Sequence, residues 1–195
     1  MNLPNKLTVL RMVLIPFVMF FYLANFIPFG IGKIVALVIF IVAALTDLLD
    51  GKIARKYNLV TNFGKFLDPI ADKLLTSAVL FMLMADGTIP APYGVIVVTI
   101  IIAREFMVSA LRLMAATKGT VLAADIWGKA KTMVQMIAIP VCMLIPFLFE
   151  IGAVCWLIKT VSIAGWVAIG AATVLTIVSG INYLVKNKDC FKEDK

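Results

Sequence analysis

The chain has no histidine, only three cysteines and only eleven acidic residues in 195. Without histidine a typical zinc site is excluded. Cys142, Cys155 and Cys190 have no metal-binding spacing and two of them lie in apolar runs, so they read as packing residues and not as a disulfide framework. Internal repeats and low-complexity segments are also missing, which leaves one domain over residues 1–195. The net charge is +7, yet there is no continuous basic patch, because basic residues alternate with apolar segments. That pattern argues against nucleic acid as a partner and for membrane lipid.

What the chain has in excess is apolar surface. It is 63% hydrophobic, with a mean hydropathy of +1.05, far more than a soluble domain of this length needs to fill a core. The reading is an all-α polytopic membrane protein with six transmembrane helices preceded by a short juxtamembrane segment. The spans fall near residues 7–29, 34–49, 66–85, 93–116, 128–149 and 154–185, the last with a lead-in at Lys159 before a full span from Val161. No small-residue cleavage site ends the first run, so it reads as a retained helix and not as a signal peptide. Of the eighteen basic residues, all but Lys33, Lys159 and the intramembrane Arg104 and Arg112 fall on one side of this arrangement. The positive-inside rule then puts both termini in the cytosol. Trp127, Trp156 and Trp166 read as interfacial anchors or packing residues.

Four of the scarce acids gather between the second and third spans. Asp47 and Asp50 are three apart, Asp68 and Asp72 four apart, so each pair shares a helix face. An aspartate in mid-membrane costs about 2.5 to 3.5 kcal/mol on insertion scales, so a compensating cation is expected. Hard oxygen ligands suit Mg2+ or Mn2+. Spacing alone also leaves open that these acids neutralise Lys52, Arg55, Lys56, Lys65 and Lys73 at a membrane boundary. Arg55, with its planar fork, suits a diphosphate, or an aspartate in a structural salt bridge. Gly51 and Ala54 allow close approach of a ligand or of a neighbouring helix.

A second set of charges lies further on. Arg104, Glu105 and Arg112 are too deep in the fourth span to be ordinary surface residues. Arg104 and Glu105, being adjacent, point in different directions and need not pair, while Arg104 and Arg112 roughly share a face. Lys129 and Lys131 open the fifth span on the side of the aspartates. They read either as topological charge or, with the two arginines, as a pocket for an anion.

The full pattern, Asp47-x2-Asp50-Gly51-x2-Ala54-Arg55, eight residues, then Gly64-x3-Asp68-x3-Asp72, resembles the signature of the CDP-alcohol phosphotransferases, with every defining position filled. Pro4-Asn5-x-Leu7-Thr8-x2-Arg11 resembles the amino-terminal motif of bacterial members, although Asn5 and Thr8 could simply cap a helix. The run from Arg104-Glu105 through Ser109 and Arg112 to Gly128-Lys129-x-Lys131-Thr132-x2-Gln135-Met136 is similar to bacterial members that use CDP-diacylglycerol as donor and sn-glycerol 3-phosphate as acceptor.

The resemblance implies that Asp47, Asp50 and Asp68 ligate two Mg2+ or Mn2+ ions, and that Asp72 is the general base and also a metal ligand. It further implies that Asn5, Thr8, Gly51, Ala54, Arg55 and Gly64 bind the CDP-lipid. The acceptor phosphate would meet Arg104, Arg112, Lys129 and Lys131. It also implies a homodimer in the bacterial plasma membrane with the active site facing the cytoplasm. A member with another acceptor would keep the aspartates and change the cationic set. A cation transporter would explain the acids but not Gly51, Ala54, Arg55 and Gly64. The last third carries no usable motif and is expected only to complete the bundle.

Overall fold

The computed structural model describes residues 3–24, 27–56, 62–117 and 125–187, and within these the side chains of 3, 4, 29, 47–56, 62–66, 116 and 117 lie outside the description. Six long helices account for nearly all of it: α1 Leu3–Leu23, α2 Ile31–Lys56, α3 Asn62–Ala85, α4 Tyr93–Thr117, α5 Ile126–Glu150 and α6 Cys155–Lys186. A single 3-10 turn, Pro28–Gly30, joins α1 to α2, and no strand occurs among the described residues. A span needs about 20 apolar residues at 1.5 Å rise each. Four helical segments meet that requirement: Asn5–Leu23, Tyr93–Ala115, Ile126–Glu150 and Cys155–Lys186. The apolar part of α2, Ile31–Thr46, is shorter, and α3 carries Asp68, Asp72 and Lys73 in its amino-terminal half.

Several boundaries differ from expectation. α1 begins at Leu3, so the juxtamembrane segment is its first turn, and Asn5 and Thr8 lie inside the helix instead of capping it. The run expected to reach Phe29 ends at Leu23, where the chain turns towards Pro28. α2 continues as helix past Asp50 to Lys56. α3 starts at Asn62, which puts Pro69 two turns inside and not at the helix start. Proline is tolerated there because neighbouring helices can support the freed backbone groups. α6 is one continuous helix of 32 residues, so Lys159 belongs to it and not to a separate lead-in.

α5 packs along α6 and α1 along α2, α3 lies against α1 and α4, α4 meets α6, and α2 bridges to α5. Phe40, Leu75, Leu83, Ile139 and Met143 are buried at the centre, while Phe106, Leu113, Trp156 and Val167 face outward. Arg11, Lys131, Thr176 and Ser179 are buried. An apolar exterior around a core that admits polar groups is the polarity a lipid environment selects. Cys142 is buried and Cys155 exposed, both as free thiols.

One end of the bundle is tied together by neutral and paired groups. Tyr22 donates its hydroxyl proton to Asp86, which also accepts from the Thr88 N–H at 2.9 Å. Trp166 Nε1 donates to the Thr88 carbonyl at 2.9 Å, and Lys33 meets Glu150 at 2.8 Å. These bonds join α1, α3 and α6, and α2 with α5. The other end gathers the amino termini of α1, α3 and α5 with the carboxyl termini of α2, α4 and α6, and there the charged motifs lie.

Close helix approach depends on particular glycines. A Cβ on Gly32 would stand 2.4 Å from the Phe21 carbonyl oxygen, whereas one on Gly170 would meet nothing within 4 Å. Gly32→Ala is therefore expected to destabilise the purified protein by about 1–3 kcal/mol through forced separation of α1 and α2. Gly170→Ala should leave the melting temperature unchanged or raised. Thermal unfolding of both variants in detergent checks this; equal midpoints would refute the close-approach argument.

Candidate active site at the aspartate end

The backbone of α2 is helical through Asp47, Asp50, Gly51, Ala54 and Arg55, and that of α3 through Gly64, Asp68 and Asp72. By register, Asp47, Asp50, Gly51 and Ala54 occupy one face of α2 at spacings of three, four and seven. The side-chain roles expected of Asp47, Asp50, Gly51, Ala54, Arg55 and Gly64 lie outside the described residues. Asp68 and Asp72 are described: one turn apart on α3 and both half-buried. Their carboxylates are hard oxygen donors that fit Mg2+ or Mn2+. Among the described residues no group of three metal-ligating side chains occurs.

α1 reaches this end through its polar face. The Thr8 hydroxyl donates to Asp68 Oδ1, and Thr8 and Asn5 are both buried. Arg11, only 1% exposed, donates from Nε to the Ala43 carbonyl of α2 at 3.4 Å. Thr8 thus orients Asp68 and ties the amino-terminal motif to α3.

Beside Asp72 opens a cavity of about 540 Å3 lined by Lys73, Arg104, Arg112, Asp125 and Lys129 among others. Three of the four cations expected to meet a phosphate therefore share one space with Asp72. Arg104 Nη2 donates to Ser179 Oγ on α6, and a Cβ on Gly128 would lie 3.3 Å from that nitrogen. Arg112 donates from Nε to the Tyr183 hydroxyl at 3.3 Å, with its guanidinium 5.6 Å from the Tyr183 ring centroid. Lys131 does not line this cavity. It is 2% exposed and paired with Glu105, and it lines a smaller cavity nearby. Residues two apart on a helix leave it in different directions, and here Lys131 turns to Glu105 while Lys129 lines the basic cavity.

Two expectations need correction. Arg104 and Glu105, expected not to need each other, do pair, with Nη1 3.4 Å from Oε1. The reason is reach: both side chains are long enough to converge despite adjacent Cβ directions. The last third does more than complete the bundle, because Ser179, Asn182, Tyr183 and Lys186 of α6 hold Arg104, Arg112 and Asp125. These four sit at spacings of three, four and seven, a polar stripe on an apolar helix that was visible in the sequence. A larger cavity, about 630 Å3, lies at the opposite end around Lys33, Glu150 and Trp166, away from the aspartates.

Asp125, just before α5, accepts from Asn182 at 2.6 Å and from Lys186 at 2.8 Å. The bond from Lys186, with that from Asn182, holds its carboxyl below the usual carboxylate range. Because the folded value is the lower one, this link between α5 and α6 is fully present above the unfolded value of about 3.9 and is lost as pH falls through the folded value. Melting temperatures of the wild type and Asp125→Asn should differ at pH 7 and converge in acid; a gap constant with pH would refute the assignment.

The family model for CDP-alcohol phosphatidyltransferases matches residues 1–178. A Bacillus subtilis protein named CDP-diacylglycerol–glycerol-3-phosphate 3-phosphatidyltransferase is 43% identical over 98% of this chain and 97% of its own. A Rickettsia bellii protein of the same name is 37% identical over 97% of each chain. A Mycobacterium tuberculosis protein named probable phosphatidylglycerophosphate synthase is 37% identical over 95% of this chain and 81% of its own. With the aspartate motif filled throughout and the match running across all six helices, the chain belongs to the CDP-alcohol phosphatidyltransferase family.

Proposed function

We propose that this protein transfers the phosphatidyl group of CDP-diacylglycerol to sn-glycerol 3-phosphate, giving phosphatidylglycerophosphate and CMP in phospholipid biosynthesis. The observation that carries the reading is the shared cavity of Asp72 with Arg104, Arg112 and Lys129. An acceptor with a hydroxyl at one end and a phosphate at the other fits between a base and a set of cations. Free serine or inositol has no group that needs three cations. The names of the bacterial relatives support the same acceptor.

In this reading the donor lies with its diphosphate at the carboxyl end of α2, where Arg55 supplies bidentate hydrogen bonds to phosphate oxygens. Asn5, Thr8, Gly51, Ala54 and Gly64 complete the donor side. Asp47, Asp50, Asp68 and Asp72 would hold two Mg2+ or Mn2+ ions, which when bound neutralise the diphosphate and the charge moving onto CMP. Asp72 takes the proton of the acceptor's primary hydroxyl. That oxygen attacks the phosphorus next to diacylglycerol, a new P–O bond forms, and the bond to the CMP oxygen breaks with its electron pair leaving on CMP. One in-line displacement suffices, without a covalent aspartyl intermediate. Arg104 and Arg112 hold the acceptor phosphate with Lys129, and Lys131 acts from behind through Glu105. Six spans with both termini and the site on the cytoplasmic face of a bacterial plasma membrane, in a homodimer, complete the proposal.

CMP release by purified protein with CDP-diacylglycerol and Mg2+ or Mn2+ tests it, comparing glycerol 3-phosphate with glycerol, serine and inositol phosphate. Release should require glycerol 3-phosphate and stop with chelator; release with another acceptor would overturn the reading of the basic cavity. Asp72→Asn should lower kcat about 10²–10⁴-fold while CDP-lipid still binds, and substantial retained turnover would remove Asp72 as base. Arg112→Ala should raise KM for glycerol 3-phosphate about tenfold to a hundredfold and leave that for CDP-lipid nearly unchanged. Equal losses on both substrates would argue against a separate acceptor pocket.

A further inference from the structure

Gln135 of α5 is 4% exposed, and its side-chain oxygen Oε1 is buried without a hydrogen-bond partner. A buried carbonyl of this kind costs about 1–3 kcal/mol when left unsatisfied, a cost that a proton donor entering beside it, a water or a substrate hydroxyl, would offset. The oxygen belongs to a residue that lines a small, partly open space of about 20 Å3 together with Asp72, Thr76, Glu105, Lys131 and Thr132. That volume suits a single water-sized group.

The neighbouring hydroxyls have already committed their protons elsewhere. Thr76 Oγ1 lies 3.1 Å from the Asp72 carbonyl and 3.2 Å from that of Lys73, and Thr132 Oγ1 donates to the Gly128 carbonyl at 3.0 Å. Lys131 meets Glu105, and an ammonium carries three N–H groups, so it has further donors to offer. A hydroxyl entering this space, from water or from substrate, can give its proton to Gln135 and receive one from Lys131.

Asp72, Glu105 and Thr132 line both this space and the larger basic cavity, so the two adjoin. An acceptor with its phosphate among Arg104, Arg112 and Lys129 and its reacting hydroxyl at Asp72 brings its adjacent carbon next to the small space. We propose that Gln135 reads the acceptor's secondary hydroxyl, making it the residue that selects a vicinal diol phosphate over a simple hydroxyalkyl phosphate. The inference rests on the assignment of Asp72 and the basic cavity to the acceptor.

The test is kcat/KM of the detergent-purified protein for sn-glycerol 3-phosphate and for 3-hydroxypropyl phosphate, which lacks only the secondary hydroxyl. The wild type should prefer glycerol 3-phosphate by about tenfold or more, since a site built for a hydroxyl discriminates against its absence. Gln135→Leu should collapse that preference, reducing glycerol 3-phosphate turnover about tenfold more than turnover of the analogue. Gln135→Met, close in length and shape, provides the same comparison if the leucine variant does not fold, with thermal unfolding as the control. Arg112→Ala should lower both acceptors by similar factors, because both carry the phosphate. A wild type without preference, or a Gln135 variant that lowers both acceptors equally, overturns the hydroxyl assignment and indicates a buried water or a packing role. No effect of Arg112→Ala on either acceptor would instead remove the phosphate site, and the pose with it.

Discussion

Glu105 stands between Arg104 on its own helix and Lys131 on α5, and the arrangement of this end of the bundle follows from that triad. A cation removed from water needs an opposite charge, since the desolvation penalty amounts to several kcal/mol per ion. One carboxylate cannot neutralise two cations. Lys131, nearly inaccessible, takes the closer position, and Arg104 is left with a longer ion pair and the Ser179 hydroxyl. The surplus positive charge is directed into the cavity it shares with Arg112 and Lys129. Charge compensation inside the protein and the basic character of the cavity are thus parts of one balance.

The two ends of the bundle differ in the same terms. At one end Tyr22, Asp86, Thr88 and Trp166 satisfy one another and Lys33 pairs with Glu150, so α1, α3 and α6 are joined by groups with little charge to spare. At the other, Asp72 of α3 and cations of α4 and α5 converge around an open space. Such a distribution ties the helices together at the first end and leaves a polar group without a partner, the Gln135 side-chain oxygen, at the second. α6 serves both ends: Trp166 bonds in its amino-terminal half, and Ser179, Asn182, Tyr183 and Lys186 hold Arg104, Arg112 and Asp125 near its carboxyl terminus.

Membership of the family was legible without coordinates. Aspartates at spacings of three and four, with Gly51, Ala54, Arg55 and Gly64 at fixed offsets, form a local pattern on consecutive helices. The all-helical architecture was legible for a similar reason: hydropathy acts through length and composition, which a chain carries along itself. Helix ends were less legible, as α2 and α3 show by extending through polar residues that hydropathy assigns to the connection.

Tertiary structure decided which charged groups meet. Lys129 and Lys131 look equivalent in sequence, yet the helix turns one into the basic cavity and the other towards Glu105. Thr8 and Asp68 are sixty residues apart, and Arg104 and Ser179 seventy-five, so no spacing rule could pair them. The sequence by itself determined the helices, the membrane setting and the motif, because those depend on interactions within a few turns and on transfer from water. The partners of each ionised or hydrogen-bonding group were determined only by packing, because the pairing energy falls steeply with distance and separate helices must first be brought together.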